Sequence, residues 1–304
     1  MKKGKWTKSD IPDLSGKVIV VTGGNSGLGY ESVKAFTQNG AEVIMACRSV
    51  DKGEAAKDEI GKVKGKIAIM QLDLQDFESI DRFADNFVAK YDKLDILLNN
   101  AGIMTTPYFK TSDGLEGQIG TNHFGHFKLT GLLLKLLNKT PKSRVVNVSS
   151  MAHKAGKMNF DDLFFEKEDY SPMKSYGRSK LANLLFTYQL QRFFEQHSID
   201  SMSVAAHPGV AMTNLGRYFE NKFLYKLLYP VAQKVIQEPE QGALPQIRAA
   251  ADPDVKGGEF YGPHLRFFGY PVLEKSSGAS YKIEDAERLW QLSKKISGVD
   301  FLVE

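Results

Sequence analysis

A chain of 304 residues with 42% hydrophobic and 25% charged side chains can fill one large α/β domain, and this composition excludes a disordered polymer. Its 40 basic and 36 acidic side chains leave a net charge of +4, too small an excess for the concentrated basic face that nucleic acid needs. Cys47 is the single cysteine, which excludes an intrachain disulfide.

Met1 to Trp6 are charged with no apolar core behind them, so no signal peptide is expected. Nowhere do about 18 apolar residues run together, so no integral membrane segment is predicted and a cytoplasmic protein is expected. Residues 1–16 are polar and are expected to wrap the surface. Short apolar strands then alternate with helices: strand 18–22, helix 29–39, strand 42–47, helix 51–63, strand 66–71, helix 77–91 and strand 95–98. Cys47, at the end of its strand, reads as a small buried hydrophobe. A long apolar helix over 117–137 precedes strand 144–148, and another over 176–196 precedes strand 201–206. Strands that are apolar on both faces and separated by helices indicate a parallel sheet covered on both sides. About six or seven strands in this rhythm predict an α/β fold of the doubly wound Rossmann type. With no composition break, one domain is expected over 1–304, its core at 16–265.

Two stretches fall outside the rhythm. Residues 151–175 are polar, with Asp161, Asp162, Glu166, Glu168 and Asp169 among aromatics, and read as an excursion between strand and helix. Over 214–237, Phe219, Phe223, Leu227, Val231 and Val235 recur every fourth residue, with Lys222, Lys226 and Lys234 on another face. That is an amphipathic helix or helix pair, and three readings stand: a helix packed on its own domain, a lid over an apolar substrate, or a membrane-surface helix.

Thr22 is followed by glycines at 23, 27 and 29, between the first strand and the first helix. These permit a tight turn and close approach of backbone to a pyrophosphate, which the helix N-terminus favours. A dinucleotide fold for NAD places a carboxylate at the end of the second strand; here that place holds Arg48, which suits a 2′-phosphate. NADP(H) is therefore expected over NAD(H), with two other readings open: Arg48 as a solvated loop residue, and Asp51 turned inward. Tyr176 and Lys180 lie four residues apart, hence side by side on a helix, where an ammonium would favour the ionised phenol and make a proton donor.

The spacing of the glycines, with Asp73-Leu74, Asn99-Asn100-Ala101-Gly102, Asn122, Asn147-Val148-Ser149-Ser150, Tyr176-x-x-x-Lys180 and Pro208-Gly209 in that order, resembles the short-chain dehydrogenase/reductase family over about 16–265. His153 and Asn183 complete two further motifs similar to the retinol dehydrogenase-like branch. The resemblance implies Asn122, Ser150, Tyr176 and Lys180 as the catalytic set, with Ser150 chosen over Ser149. It implies a nicotinamide cofactor held by Gly23, Asn25, Ser26, Gly27, Leu28 and Gly29. Asp73 and Leu74 would flank the adenine, and Asn99, Ala101 and Gly102 would line the adenosine and ribose. Asp73 reads equally as a helix N-cap. Pro208, Gly209 and Val210 would arch over the nicotinamide, with Thr213 at its carboxamide, and Tyr176 and Lys180 would touch cofactor too. Asn122 would hold a water that links Lys180 to solvent. Family relatives often pair, as homodimers or homotetramers, through the helices at 117–137 and 176–196, whereas members of the branch need not, so the oligomeric state stays open. The spacing from Ser150 to Tyr176 is about twice the family's usual value.

His153 and His207 read as loop-positioning residues, because the tyrosine already supplies a proton, and no cluster has metal-ligand spacing. The leading expectation is reduction of a carbonyl, or oxidation of an alcohol, on an apolar small molecule such as a retinoid, steroid or lipid aldehyde. The alternative is a non-catalytic NADP(H)-binding sensor. Light-driven reduction of a tetrapyrrole precursor and sugar-nucleotide epimerisation share parts of the pattern and fit less well.

Overall fold

A computed structural model describes residues 5–210 and 237–302. Most of the expected 214–237 segment, and Thr213 with it, lies outside the described residues. The strands are β1 (Val18–Thr22), β2 (Glu42–Cys47), β3 (Lys66–Gln71), β4 (Ile96–Asn99), β5 (Arg144–Val148), β6 (Met202–Ala206), β7 (Phe260–Pro263) and β8 (Pro271–Glu274). They form one sheet in the order β3-β2-β1-β4-β5-β6-β7-β8, parallel except for the antiparallel β7–β8 pair.

Alternation along each strand feeds two cores. Ile19, Val21, Val43 and Met45 face one layer, with Val33 and Phe36 of helix α1 (Gly27–Gln38). Val18, Val20, Ile44 and Leu97 face the other, with Phe83 and Phe87 of α3 (Phe77–Val88). Val20 sits between Ile44 and Leu97 in register, and all three are fully buried. Between these helices, α2 (Val50–Ile60) is capped by Ser49, whose hydroxyl accepts from Lys52 N.

The structure revises the expected elements at several points. Residues 1–16 are not merely a polar wrapping: Trp6, Ile11 and Leu14 are buried in the first core. The helix expected over 117–137 is broken into α4 (Gly117–Ile119), a π-helical turn (Gly120–Phe124), α5 (Gly125–Leu132) and α6 (Leu134–Lys139). The chain packs too closely there for a side chain: a Cβ on Gly125 would lie 2.6 Å from Leu74 O, and one on Gly131 2.3 Å from Val299 Cγ1. Helix α7 (Pro172–Gln196) starts before Tyr176, at a proline suited to the first turn. Strands β7 and β8 and helices α8 (Pro239–Ala251) and α9 (Ile283–Ser297) escaped the sequence reading. Trp290 and Phe301 belong to the second core, so the residues beyond 265 are structural. Trp290 packs on Phe127 of α5 and on Phe186 and Phe193 of α7, covering part of the faces through which two copies were expected to pair.

Candidate active site

The glycine loop leaves β1 and enters α1. Gly23 and Gly27 have φ of 65° and 54°, a region that side chains disfavour. Gly29 is needed for another reason: a Cβ there would lie 2.3 Å from Gly23 O and 2.6 Å from Asn100 Nδ2. Helices α2 and α3 each begin with a side-chain cap, from Ser49 and Asp76. At α1 the N-cap Ser26 makes no such bond, so its first N–H groups have no capping side chain. An uncapped helix end beneath a glycine turn fits the pyrophosphate of a dinucleotide.

A cleft of about 350 Å³ opens beside this turn, lined by Gly23, Asn25, Arg48, Asp73, Leu74, Ala101 and Gly102 among others. Arg48 is exposed at its rim. Asp51 is in the first turn of α2 and does not line the cleft. The N-cap of α3 is Asp76, and Asp73, whose Oδ1 accepts from Gln75 N at 3.0 Å, lines the cleft. Ser26, Gly27, Leu28 and Gly29 lie along the start of α1. Asn99 sits elsewhere: it is buried between strands, donating to Asn147 Oδ1 at 2.9 Å and Thr130 Oγ1 at 3.2 Å.

Tyr176 and Lys180 lie on α7, both buried, with Lys180 Nζ 5.8 Å from the Tyr176 ring centroid. The ammonium donates to Val148 O at 3.0 Å. The two adjacent serines separate clearly. Ser149 spends its hydroxyl on Lys180 O at 2.8 Å, whereas the Ser150 hydroxyl accepts from Ala152 N at 3.2 Å and lies on the Tyr176 side, where it acts to lower the phenol's pKa. Burial raises the Tyr176 phenol above its ordinary range, and the nearby Ser150 side chain offsets this only in part. That reverses the expected direction, because desolvation of a buried phenol outweighs an ammonium turned onto a carbonyl. Burial also lowers Lys180, to about 8.

Asn122 lies in the π-helical turn. Its Oδ1 accepts from Ile103 N at 2.9 Å, and its Nδ2 donates to Ile103 O at 3.0 Å and Ser179 Oγ at 2.9 Å. A side chain so occupied pins loop to helix. Gly102 faces both Asn122 and Lys180: a Cβ there would be 3.0 Å from Asn122 Oδ1 and 3.3 Å from Lys180 Nζ. Across the site, Pro208, Gly209 and Val210 follow β6; Gly209 has a φ of 71°, and Val210 N donates to Phe267 O at 2.9 Å.

Three contributors were missed in the sequence. His126 Nδ1 lies 3.0 Å from Asn122 O, and its Nε2 lies 2.9 Å from Thr22 Oγ1. Thr22 Oγ1 in turn accepts from Asn100 N and Ala101 N, each at 2.9 Å. Burial lowers His126 to about 4, so it bridges these groups as a neutral ring. Its place four residues after Asn122 is a signal that could have found it. Gln246 of α8 donates to Asn100 Oδ1 and Ser32 Oγ at 2.9 Å, and nothing local in the sequence marks it. Arg178, between Tyr176 and Lys180, anchors the acidic stretch: it donates to Asp162 O and Leu163 O at 2.8 Å, pairs with Glu168 at 2.7 Å, and stacks 4.0 Å from the Phe165 ring centroid. The stretch is thus tied to α7 rather than looped away from it.

Among the described residues no helix is long and apolar enough to cross a membrane, and no three His, Cys, Asp or Glu side chains are placed to hold a metal. The family model for short chain dehydrogenase matches residues 17–222. Retinol dehydrogenase 12 of Mus musculus is 40% identical over 95% of this chain and 88% of its own length. Retinol dehydrogenase 11 of Homo sapiens is 39% identical over 94% and 87% respectively. The crystal structure of an uncharacterized protein from Mycobacterium Paratuberculosis superposes with a TM-score of 0.84 at 39% identity, covering 99% of this chain and 100% of that one. The chain therefore belongs to the short-chain dehydrogenase/reductase family, in its retinol dehydrogenase-like branch, and is an NAD(P)-dependent oxidoreductase.

Proposed function

We propose that the protein interconverts a carbonyl and an alcohol on an apolar small molecule, with NADP(H) preferred over NAD(H) and Tyr176 as the general acid/base. One observation carries the reading: Tyr176 and Lys180 are buried side by side on α7, Gly102 faces both Lys180 and Asn122, and Gly102 also lines the cleft beside an uncapped helix end. The reduced nicotinamide, when bound, supplies the hydride that adds to the carbonyl carbon. As negative charge grows on the carbonyl oxygen, the Tyr176 hydroxyl gives it a proton and the Ser150 hydroxyl steadies it by a hydrogen bond. Lys180 in its charged form counters the cost of a buried Tyr176 phenolate and holds the ribose hydroxyls. Asn122 fixes the loop at Ile103 against α7, and a water held beside it links Lys180 to solvent.

The retinol named for the two mammalian relatives supports an apolar alcohol or aldehyde for this chain as well. Apolar residues at 219, 223 and 227 support it from the sequence. The domain is taken as single, with a cytoplasmic site of action. A homodimer or homotetramer is proposed on the family's habit alone, because α5 and most of α7 are already buried within this chain. The non-catalytic sensor has no observation in its favour, since such a protein has no use for a buried proton donor.

Arg48 is the residue for the 2′-phosphate. Arg48→Glu is expected to lower the preference for NADPH over NADH, measured as the ratio of the two kcat/KM values, by about 10–100-fold. An unchanged ratio would move the specificity elsewhere.

A further inference from the structure

We propose that His153 is a positioning residue for Ser150: it holds the serine's main-chain carbonyl and ties it to the segment that follows β8. The inference rests on the reading of Ser150 as the group that steadies the carbonyl oxygen. Ser150 precedes a short 3-10 turn (Met151–Ala155). Its hydroxyl accepts from Ala152 N at 3.2 Å and meets Tyr176, so its placement follows from where the main chain is held. His153 is fully buried, and its Nδ1 lies 2.6 Å from Ser150 O. A carbonyl only accepts, so Nδ1 carries the proton. Nε2 is then the acceptor, and Ser277 N donates to it at 3.1 Å. Both ring nitrogens are thus used in one tautomer, and the ring stands edge-on to Phe260 at 5.6 Å between centroids. Burial lowers the imidazole to about 4, so it stays neutral through the working range.

The partner segment makes this a brace rather than a local turn. Ser276, next to Ser277, bonds Tyr188 of α7 at 2.7 Å and Ser280 at 2.6 Å. The loop bearing Ser150 and the helix bearing Tyr176 are therefore referenced to the same residues, 276–280. A hydrogen-bond donor to the developing oxyanion must be placed closely, and misplacement by about 1 Å costs on the order of 100-fold. The segment after β8 thereby acquires a role in placing Ser150 through His153, although it does not touch the reacting atoms.

The test uses the full-length enzyme with NADPH and retinal, with rates divided by the number of sites that bind NADPH. His153→Leu and His153→Gln lose the donor to Ser150 O, because the glutamine amide reaches the Nε2 position instead. Both are expected to lose about 10–100-fold in kcat with KM for NADPH within about 3-fold. His153→Asn puts an N–H at the Nδ1 position and is expected to keep kcat within about 3-fold of wild type. Ser150→Ala is the control. If it keeps full turnover, the reading of Ser150 fails. If it collapses while His153→Leu and His153→Gln stay near wild type, or while His153→Asn falls as far as they do, the positioning role is overturned. A readout free of turnover is the nitrogen NMR of the His153 ring. A neutral Nδ1–H tautomer that does not titrate between about pH 5 and pH 9 is expected. An Nε2–H tautomer, or titration within that window, would overturn the inference.

Discussion

Tyr176→Phe is expected to lower turnover by about 10²–10⁴-fold while leaving the affinity for NADPH within about 2-fold. The substitution deletes one hydroxyl and keeps the ring, which is buried against α7 and its neighbours. Ser150 cannot replace the lost acid, because an alkyl hydroxyl at that place donates a hydrogen bond and does not give up its proton near neutral pH. The ordinary value of the phenol is about 10, and burial raises it further in the cofactor-free protein. A raised value keeps the proton on the oxygen until charge develops on the substrate, as reduction requires. In the oxidation direction the phenolate must form first, so alcohol oxidation should gain rate with rising pH while aldehyde reduction does not. Unchanged turnover of Tyr176→Phe, with cofactor bound, would eliminate this residue as the acid.

Gly29→Ala is expected to weaken NADPH binding by about 100-fold and to lower stability by about 1–3 kcal/mol. The added methyl would meet Gly23 O at 2.3 Å and Asn100 Nδ2 at 2.6 Å. The first contact is backbone, and it belongs to the turn proposed to lie under the pyrophosphate. Relief requires the turn to move away from α1, which spoils both the helix packing and the phosphate cradle. Fluorescence titration with NADPH and thermal melting read the two effects separately. Gly278→Ala is the comparison, since a Cβ there meets nothing within 4 Å and should change neither measurement.

The central sheet was legible because its strands are apolar on both faces, a pattern that parallel strands covered by helices must show. What stayed hidden follows from the same physics. Strands β7 and β8 are four residues each, with prolines at 263 and 271 that suppress a strand reading. Helix α8 carries Pro245 inside it, and α9 shows solvent a mostly charged face. The break in the 117–137 helix was hidden because glycine at 120, 125 and 131 is legible as weakness, whereas the contacts that demand it come from Thr111, Leu74 and Val299.

In the candidate site, types and spacing were legible and environments were not. The four-residue spacing put Tyr176 beside Lys180, yet the sign of the shift on the phenol depended on burial, which a sequence does not print. Asn99 and Asn100 are neighbours in the same motif, and at the end of a strand their side chains leave on opposite sides. The first braces Asn147, and the second reaches Thr22 and Gln246. The length of the 151–175 stretch was plain, while its anchoring rests on Arg178, a variable position inside the Tyr-x-x-x-Lys pattern.

The most direct test is a crystal structure of the protein soaked with NADPH. Pyrophosphate density over the Gly23–Gly29 turn, with the nicotinamide ring in van der Waals contact with the Tyr176 hydroxyl, is the result expected. A turn left empty at saturating NADPH, or a Tyr176 hydroxyl directed away from the ring, would contradict the account.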